Sequence, residues 1–216
     1  MNNNSLLSEN LTDIARDFFK GIHGAHGWDH VQRVLALCRT LGPMEGCDME
    51  TLTAAALLHD IGRKECDMEN GARCHAAVGA QIASSILTDM GLDREFIEKV
   101  VHCVASHRYR GGLAPVSIEA KTLYDADKLD SIGAVGVGRA FQFAGEVGAK
   151  LHDSSIDPRT TEAYGPDDTA WREYMVKLRY IKDNMMTAAG AAMASERARY
   201  MDEFFERLDR EANGLL

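Results

Sequence analysis

The sequence predicts an all-α fold. Apolar residues recur at helical spacing in one segment after another, no run alternates convincingly enough to predict a strand, and Gly and Pro residues separate the segments. A chain of 216 residues with 45% hydrophobic content can fill one large core or two small ones, and one core is the simpler expectation. We therefore expect a single helical domain over residues 1–216, with C-terminal helices in 170–214 that pack on the preceding part.

The first half of the chain carries the clearest helical patterns. Five helices are expected there: Leu6–Lys20, His30–Leu41, a third between Asp48 and Gly62, Ala72–Met90 and Asp93–His107. The second should stop at the string "GPMEGCD", because proline cannot continue the helical hydrogen bonds. Asp48 is expected to cap the third helix, and Gly62 stands where a C-terminal glycine belongs.

The second half begins with a helix from about Ser117 that we expect to break near Gly133. The polar string "LHDSSIDPRTTEAYGPDDT" holds two of the four prolines and predicts a long surface loop. From Trp171 onward the pattern is helical again, and "ASERARYMDEFFERLDREANG" predicts a charged, amphipathic terminal helix.

Composition limits the partners and the compartment. With 33 acidic against 24 basic residues, the chain has no general attraction to a nucleic-acid duplex or an anionic membrane. No signal-like segment or membrane span is apparent, so we expect a cytoplasmic protein. The five cysteines contain no C-x-x-C pair and are expected to be reduced thiols. Apolar residues of the terminal helix could support a homodimer, although core packing explains them equally well.

The run "TAAALLHDIGR" is apolar until it reaches His59 and Asp60. Helical spacing places Leu52, Ala55 and His59 on one face and Asp60 one step around it, so both polar side chains border the inward side. A buried imidazole beside a buried carboxylate costs free energy unless something pairs with both. A metal ion is the partner we expect, and an ion pair at an exposed helix end is the alternative.

Two further candidate ligands lie on other predicted helices. His30 opens a helix in "GWDHVQRVLALC", so its ring can reach inward from the helix start. Asp127 lies in "LYDADKLD", where an apolar helix abruptly carries three carboxylates. Because a metal ion needs ligands from several helices, the candidate metal site lies within residues 20–140 and consists of His30, His59, Asp60 and Asp127.

The ordered set H…HD…D, in the strings "HGWDHVQRV", "LLHDIG" and "YDADKLDSIGAVGVGRAF", resembles the signature of the HD-domain superfamily of metal-dependent phosphohydrolases. The likeness extends through "MMTAAG" and "ASERARYMDEFFERL" and so spans nearly the whole chain. It implies an HD-domain helical bundle in which these residues bind a divalent ion such as Mn, Mg, Ni, Co, Fe or Zn. Asp60 would then be the ligand that also orients or deprotonates the attacking water.

Other histidines and cations are candidates for the same site. Some HD enzymes hold a second metal through extra histidines, which makes His75 and His107, and less strongly His102, candidates for a second metal or for phosphate contacts. The alternative is a surface or hydrogen-bonded core histidine at each position. An anionic substrate needs local cations, for which Arg33, Arg63 and Lys128 are candidates against ordinary surface salt bridges.

The expected function is hydrolysis of a phosphoester in a small phosphorylated metabolite or nucleotide, with Asp60, Arg33 and Lys128 as catalytic candidates. Two alternatives remain at this point. One is a di-iron oxygenase of the HD type, and the other is a non-catalytic helical module that binds a nucleotide. The sequence leaves open the substrate, the choice between mono- and diesterase, and the number of metal ions.

Overall fold

The computed structural model describes residues 3–22, 24–64, 74–109 and 112–216, and these contain helices and no strand. The predicted all-α class is confirmed. The α-helices are α1 (Asn3–Phe18), α2 (Trp28–Glu45), α3 (Met49–Leu58), α4 (His75–Asp89), α5 (Arg94–Ser106), α6 (Ile118–Leu129), α7 (Gly133–Glu146), α8 (Ala170–Val176) and α9 (Ala188–Ala212). Two 3-10 helices cover Gly24–His26 and Leu178–Asn184.

The chain forms two compact units, residues 1–127 and residues 128–216. In the first unit α3 packs against α1, α2 and α5, and α4 packs against α5. The α3 helix is buried on nearly every side, with Leu52, Leu57 and Leu58 at most 1% exposed. In the second unit α7 packs against α8 and α9.

No helix in the described part of the chain combines the length and the apolar composition that a membrane crossing requires.

The second helix is longer than the sequence predicts, because α2 continues through Pro43 to Glu45. Proline lacks an N–H, but so near the helix end it leaves only the exposed Arg39 without its usual donor, at small cost. Gly46, in the left-handed region at φ 72°, ends the helix and donates its N–H to Gly42 O. The predicted stop at Leu41 is therefore wrong.

The N-terminus of α3 is capped as predicted, since Asp48 accepts a hydrogen bond from Glu50 N–H at 3.1 Å. The turn between α2 and α3 also contacts α6. Asp48 N–H donates to Glu119 Oε1 at 3.0 Å, and Cys47 Sγ lies 3.3 Å from Thr122 Oγ1. These contacts fix the first half of α6 against the α2–α3 junction and thereby orient its last turn.

The third helix ends earlier than predicted, at Leu58, and Gly62 is not its left-handed C-terminal glycine. Its role is close packing instead. A Cβ at Gly62 would lie 2.5 Å from both Gly79 N and His75 O, which are backbone atoms of α4. The turn that follows α3 therefore packs directly on the first turns of α4. The predicted start of that helix at Ala72 lies outside the described residues.

The predicted break near Gly133 is confirmed, because α6 ends at Leu129 and α7 begins at Gly133. Gly133 has a φ of 74°, and Arg197 Nη1 donates to Leu129 O at 2.6 Å. The polar segment after α7 contains no helix up to α8, as predicted for a loop. It is anchored at its end by buried Asp168, which accepts from Arg172 Nη1 at 2.9 Å.

We expect a Gly62→Ala substitution to destabilise the protein by about 1–3 kcal/mol, because the added methyl meets backbone that cannot rotate away. Gly138→Ala is the matched control, since a Cβ there meets nothing within 4 Å. That change should instead stabilise α7 by about 0.5–1 kcal/mol. Thermal and urea unfolding of both variants measure these effects, and equal stabilities would contradict the packing role.

Candidate metal centre

Histidine and aspartate side chains from several helix ends converge within the first unit. His30 lies in the first turn of α2, His59 and Asp60 directly follow α3, His75 begins α4, His107 directly follows α5, and Asp127 lies in the last turn of α6. All are buried except Asp127, whose side chain is 17% exposed. Ligands are therefore delivered by helix termini, whose positions the core packing fixes.

Two of these histidines share one local arrangement. His59 Nδ1 lies 2.8 Å from Ala56 O, and His107 Nδ1 lies 2.7 Å from Val104 O, in each case a carbonyl three residues earlier. A carbonyl can only accept, so the proton is on Nδ1 and the lone pair is on Nε2. Both rings thus present a metal-binding nitrogen to the cluster.

A first group of potential ligands consists of His30, His59 and Asp127, whose ligand atoms all lie within 4.8 Å of one another. His30 Nε2 lies 3.2 Å from His59 Nε2 and 3.4 Å from Asp127 Oδ1. Asp60 Oδ2 borders this group at 3.6 Å from His30 Nε2 and 3.7 Å from His59 Nε2. The structure thus brings together the residues that the signature selects.

A second group uses the other oxygen of Asp60. Its Oδ1 lies 3.4 Å from His75 Nε2 and 3.4 Å from His107 Nε2. Asp60 Oδ1 and His75 Nε2 are buried and make no hydrogen bond within the described part of the chain. Buried polar atoms without a partner are costly, so this pair indicates a site for a ligand.

Burial and charge set the protonation of the cluster. Burial lowers the pKa of His59 to about 4 and, together with nearby Arg63, that of His75 to about 3. Burial opposes ionisation of Asp60, but Arg63 and the neighbouring histidines outweigh it and hold the pKa of Asp60 well below its usual range. At neutral pH His59 and His75 are therefore neutral imidazoles and Asp60 is a carboxylate, the forms that bind metal ions.

The candidate cations lie in different surroundings. Arg63 Nε donates to Asp60 Oδ2 at 2.6 Å, so its charge is part of the cluster. Arg33 pairs with Asp29 at 2.7 Å, one turn before it on α2. Lys128 is half-buried in the last turn of α6. Of the three candidates, Arg63 has a measured contact to the cluster, through Asp60.

His102 and His26 lie in surroundings that differ from those the sequence predicts. His102 Nε2 accepts a hydrogen bond from Val116 N–H at 3.2 Å and is not grouped with the cluster. His26, interpreted as a loop residue, ends a 3-10 helix and packs edge-on against His30 with ring centroids 5.8 Å apart. It offers a ligand atom within 4.8 Å of those of His30 and Asp60. The one-turn spacing of His26 and His30 in "HGWDH" is the signal that points to it.

The donor set fits a divalent metal ion. Imidazole nitrogens and carboxylate oxygens suit Mn, Fe, Co, Ni and Zn, whereas thiolates would select softer ions. Cys38 and Cys103 are buried in the same unit, but burial raises the pKa of both thiols, that of Cys103 to about 12. The imidazole and carboxylate ligands therefore favour hard or borderline divalent ions as a class, without favouring one element.

Comparison with known proteins identifies a family to which the chain is similar. The family model of the HD domain matches residues 27–132, a range that includes every residue of the two ligand groups. The chain is also 34% identical over 194 residues to the uncharacterized protein YpgQ of Bacillus subtilis (strain 168), covering 88% of this chain and 86% of that protein.

Solved structures resemble the chain over almost its full length. The crystal structure of Bacillus subtilis YpgQ in complex with ADP has a TM-score of 0.74 and 26% identity, and it covers 94% of this chain and 97% of its own. The crystal structure of an HD-superfamily hydrolase from Bacillus thuringiensis has a TM-score of 0.77 and 28% identity, with coverage of 98% and 99%.

The metal-free protein should lose stability as the pH falls from about 6.5 towards 4. In this window the unfolded chain takes up protons on His59 and His75 that the folded chain, with lowered pKa values, does not. The free energy of unfolding should fall by up to about 1.4 kcal/mol per pH unit for each histidine. Asp60 stays ionised in the folded chain, but below about pH 5 the unfolded chain begins to protonate it, so the range from pH 6.5 to pH 5 reports the histidines alone.

Urea unfolding in the presence of a chelator, repeated across this pH window, measures the effect. A His75→Asn variant removes one of the two titrating groups and should show roughly half of the slope. Stability that does not change between pH 6.5 and pH 5 would contradict the buried, neutral state of both histidines.

Proposed function

The chain belongs to the HD-domain superfamily, and on that premise we propose that it is a metal-dependent phosphohydrolase acting on a nucleotide or another small phosphorylated metabolite. The observation that carries this proposal is the buried Asp60 carboxylate, which has one oxygen beside His30 and His59 and the other beside His75 and His107. Such a carboxylate between two sets of imidazoles supports metal-assisted chemistry over a non-catalytic nucleotide-binding module. The likeness to an HD-superfamily hydrolase from Bacillus thuringiensis favours hydrolysis over a di-iron oxygenase.

The metal ligands in this proposal are His30, His59, Asp60 and Asp127. A divalent ion held there supplies Lewis-acid chemistry, because it stabilises negative charge on phosphoryl oxygens and makes water more acidic. The chain positions the ligands for that task in advance. The hydrogen bond from His59 Nδ1 to Ala56 O fixes the orientation of its ring, as partners of metal-binding histidines commonly do.

Asp60 is better suited to orient water than to accept its proton. Arg63 and the surrounding histidines hold the pKa of Asp60 well below its usual range, which makes it a weak base. His75 is neutral at pH 7, and its Nε2 has no hydrogen-bond partner among the described residues. This nitrogen can therefore accept a hydrogen bond from water, donate one to a phosphoryl oxygen in its other tautomer, or bind a second ion.

A nucleotide is supported as the substrate class by a relative. YpgQ, which is 34% identical to this chain, has been crystallised in complex with ADP. An acidic chain of net charge −9 must attract such an anion locally. Arg63 is already at the cluster, and Arg33 and Lys128 are proposed as further phosphate contacts.

The number of ions bound is open to direct measurement. Two Mn²⁺ per chain in the wild type and one in a His75→Gln variant would assign His75, with His107, to a second ion. One Mn²⁺ in both proteins, together with a raised KM in His75→Gln, would assign this group to phosphate binding. Elemental analysis and titration calorimetry provide the counts.

An Asp60→Asn variant should lose metal binding and phosphohydrolase activity together. Loss of a hydrogen-bond partner of a metal ligand alone costs about 10–100-fold, so loss of this ligand should cost more than about 100-fold in kcat/KM. Phosphate release from a panel of nucleotides and sugar phosphates with Mn²⁺, Mg²⁺, Co²⁺ or Ni²⁺ is the assay.

The matched control is Asp17→Asn, which makes the same chemical change at an exposed ion pair with Lys20. It should keep both metal content and activity. A metal-loaded wild type that is inactive on the whole panel, or an Asp60→Asn variant as active as the wild type, would count against a phosphohydrolase.

A further inference from the structure

One permanent positive charge contacts the candidate metal centre directly. Arg63 Nε lies 2.6 Å from Asp60 Oδ2, and the Arg63 side chain is only 18% exposed. The Asp60 side chain is completely buried. This pair is therefore not a surface salt bridge of small effect, because neither charge can be compensated fully by water.

The guanidinium uses the same oxygen that faces the first ligand group. Asp60 Oδ2 lies 3.6 Å from His30 Nε2 and 3.7 Å from His59 Nε2. An ion bound among these atoms takes electron density from Oδ2, which already accepts the Arg63 hydrogen bond. Arg63 and the metal ion are thus two cations on one carboxylate oxygen.

Electrostatics makes the two cations compete. Like charges a few ångströms apart repel strongly where water is excluded, and a hydrogen bond to a carboxylate weakens as a second cation binds it. Without metal the opposite holds, because removal of Arg63 leaves a buried carboxylate without its nearest counter-charge. Loss of one partner of a buried ion pair is strongly destabilising.

We propose, building on the metal site proposed above, that Arg63 acts as an internal counter-cation that stabilises the metal-free centre and competes with the metal ion for Asp60. Arg63 is in this sense a positioning residue that sets metal affinity. Its hydrogen bond holds Asp60 oriented before the ion arrives, and its charge weakens the affinity of the ion that finally binds. The centre is therefore built for reversible metal binding.

The proposal has a thermodynamic corollary that does not depend on activity. Because the coupling between two cations on one site is reciprocal, a variant without Arg63 should be less stable than the wild type without metal and should gain more stability from metal. Metal affinity and unfolding temperature therefore report the same coupling through independent measurements.

The experiment compares Mn²⁺ binding by calorimetry, after removal of metal with a chelator, in the wild type, Arg63→Gln, Arg63→Lys and Arg94→Gln. Arg63→Gln should bind Mn²⁺ at least about tenfold more tightly, with Arg63→Lys between it and the wild type. Arg94→Gln is the matched control, since Arg94 is 91% exposed and pairs with Glu98 on the surface of α5, and its affinity should not change.

Thermal unfolding of the same proteins supplies the second readout. Arg63→Gln should unfold at a lower temperature than the wild type without metal, and the difference should shrink or vanish in saturating Mn²⁺. If Arg63→Gln does not fold without metal, the Arg63→Lys affinity decides, and an affinity equal to or weaker than that of the wild type would overturn the proposal.

The possible failures are distinguishable. A wild type that binds none of Mn²⁺, Co²⁺, Ni²⁺ and Zn²⁺ would refute the metal site proposed for this chain and, with it, competition by Arg63. A wild type that binds Mn²⁺, together with an Arg63→Gln variant that binds it equally or more weakly, would leave the metal site intact and refute competition by Arg63.

Discussion

A buried carboxylate that must remain charged is the constraint on which the rest of this structure depends. Asp60 is 1% exposed, and its two oxygens face two separate sets of imidazoles. A lone ion in that position would be expelled or protonated, so the surrounding residues have to compensate it. Arg63 supplies that counter-charge through its hydrogen bond to Asp60 Oδ2, and the ends of α2, α3, α4, α5 and α6 bring the candidate ligands around the same carboxylate.

Helix ends supply both the geometry and the hydrogen bonds of the centre. The last carbonyls of a helix lack intrahelical donors, and His59 and His107 satisfy one such carbonyl each through Nδ1. The same hydrogen bond directs Nε2 towards the cluster. One local arrangement, used at the ends of α3 and α5, therefore completes a helix and orients a metal-binding nitrogen at the same time.

Much of the fold and the main part of the candidate site could be predicted from the sequence, because both follow from local patterns. Helical periodicity indicated the all-α class, and the string "LLHDIG" in its apolar context pointed to His59 and Asp60. One error is local, because Pro43 lies so near the end of α2 that it does not stop the helix. The other errors concern interactions between distant segments. The role of Gly62 depends on backbone of Gly79, and no residue near Gly62 encodes that contact. His26 is one turn before His30, but its glycine-rich surroundings indicated a loop and hid that signal. A sequence cannot show that Arg63 pairs with Asp60.

The contact between Gly62 and α4 also has a consequence for motion. Local opening of α4 away from the turn would separate His75 from Asp60, because Gly62 packs on the backbone of His75 and Gly79. The contact between His75 and Asp60 therefore lasts only as long as α4 stays folded against this turn. Amide hydrogen exchange in the first turns of α4 would follow the state of the centre without any substrate.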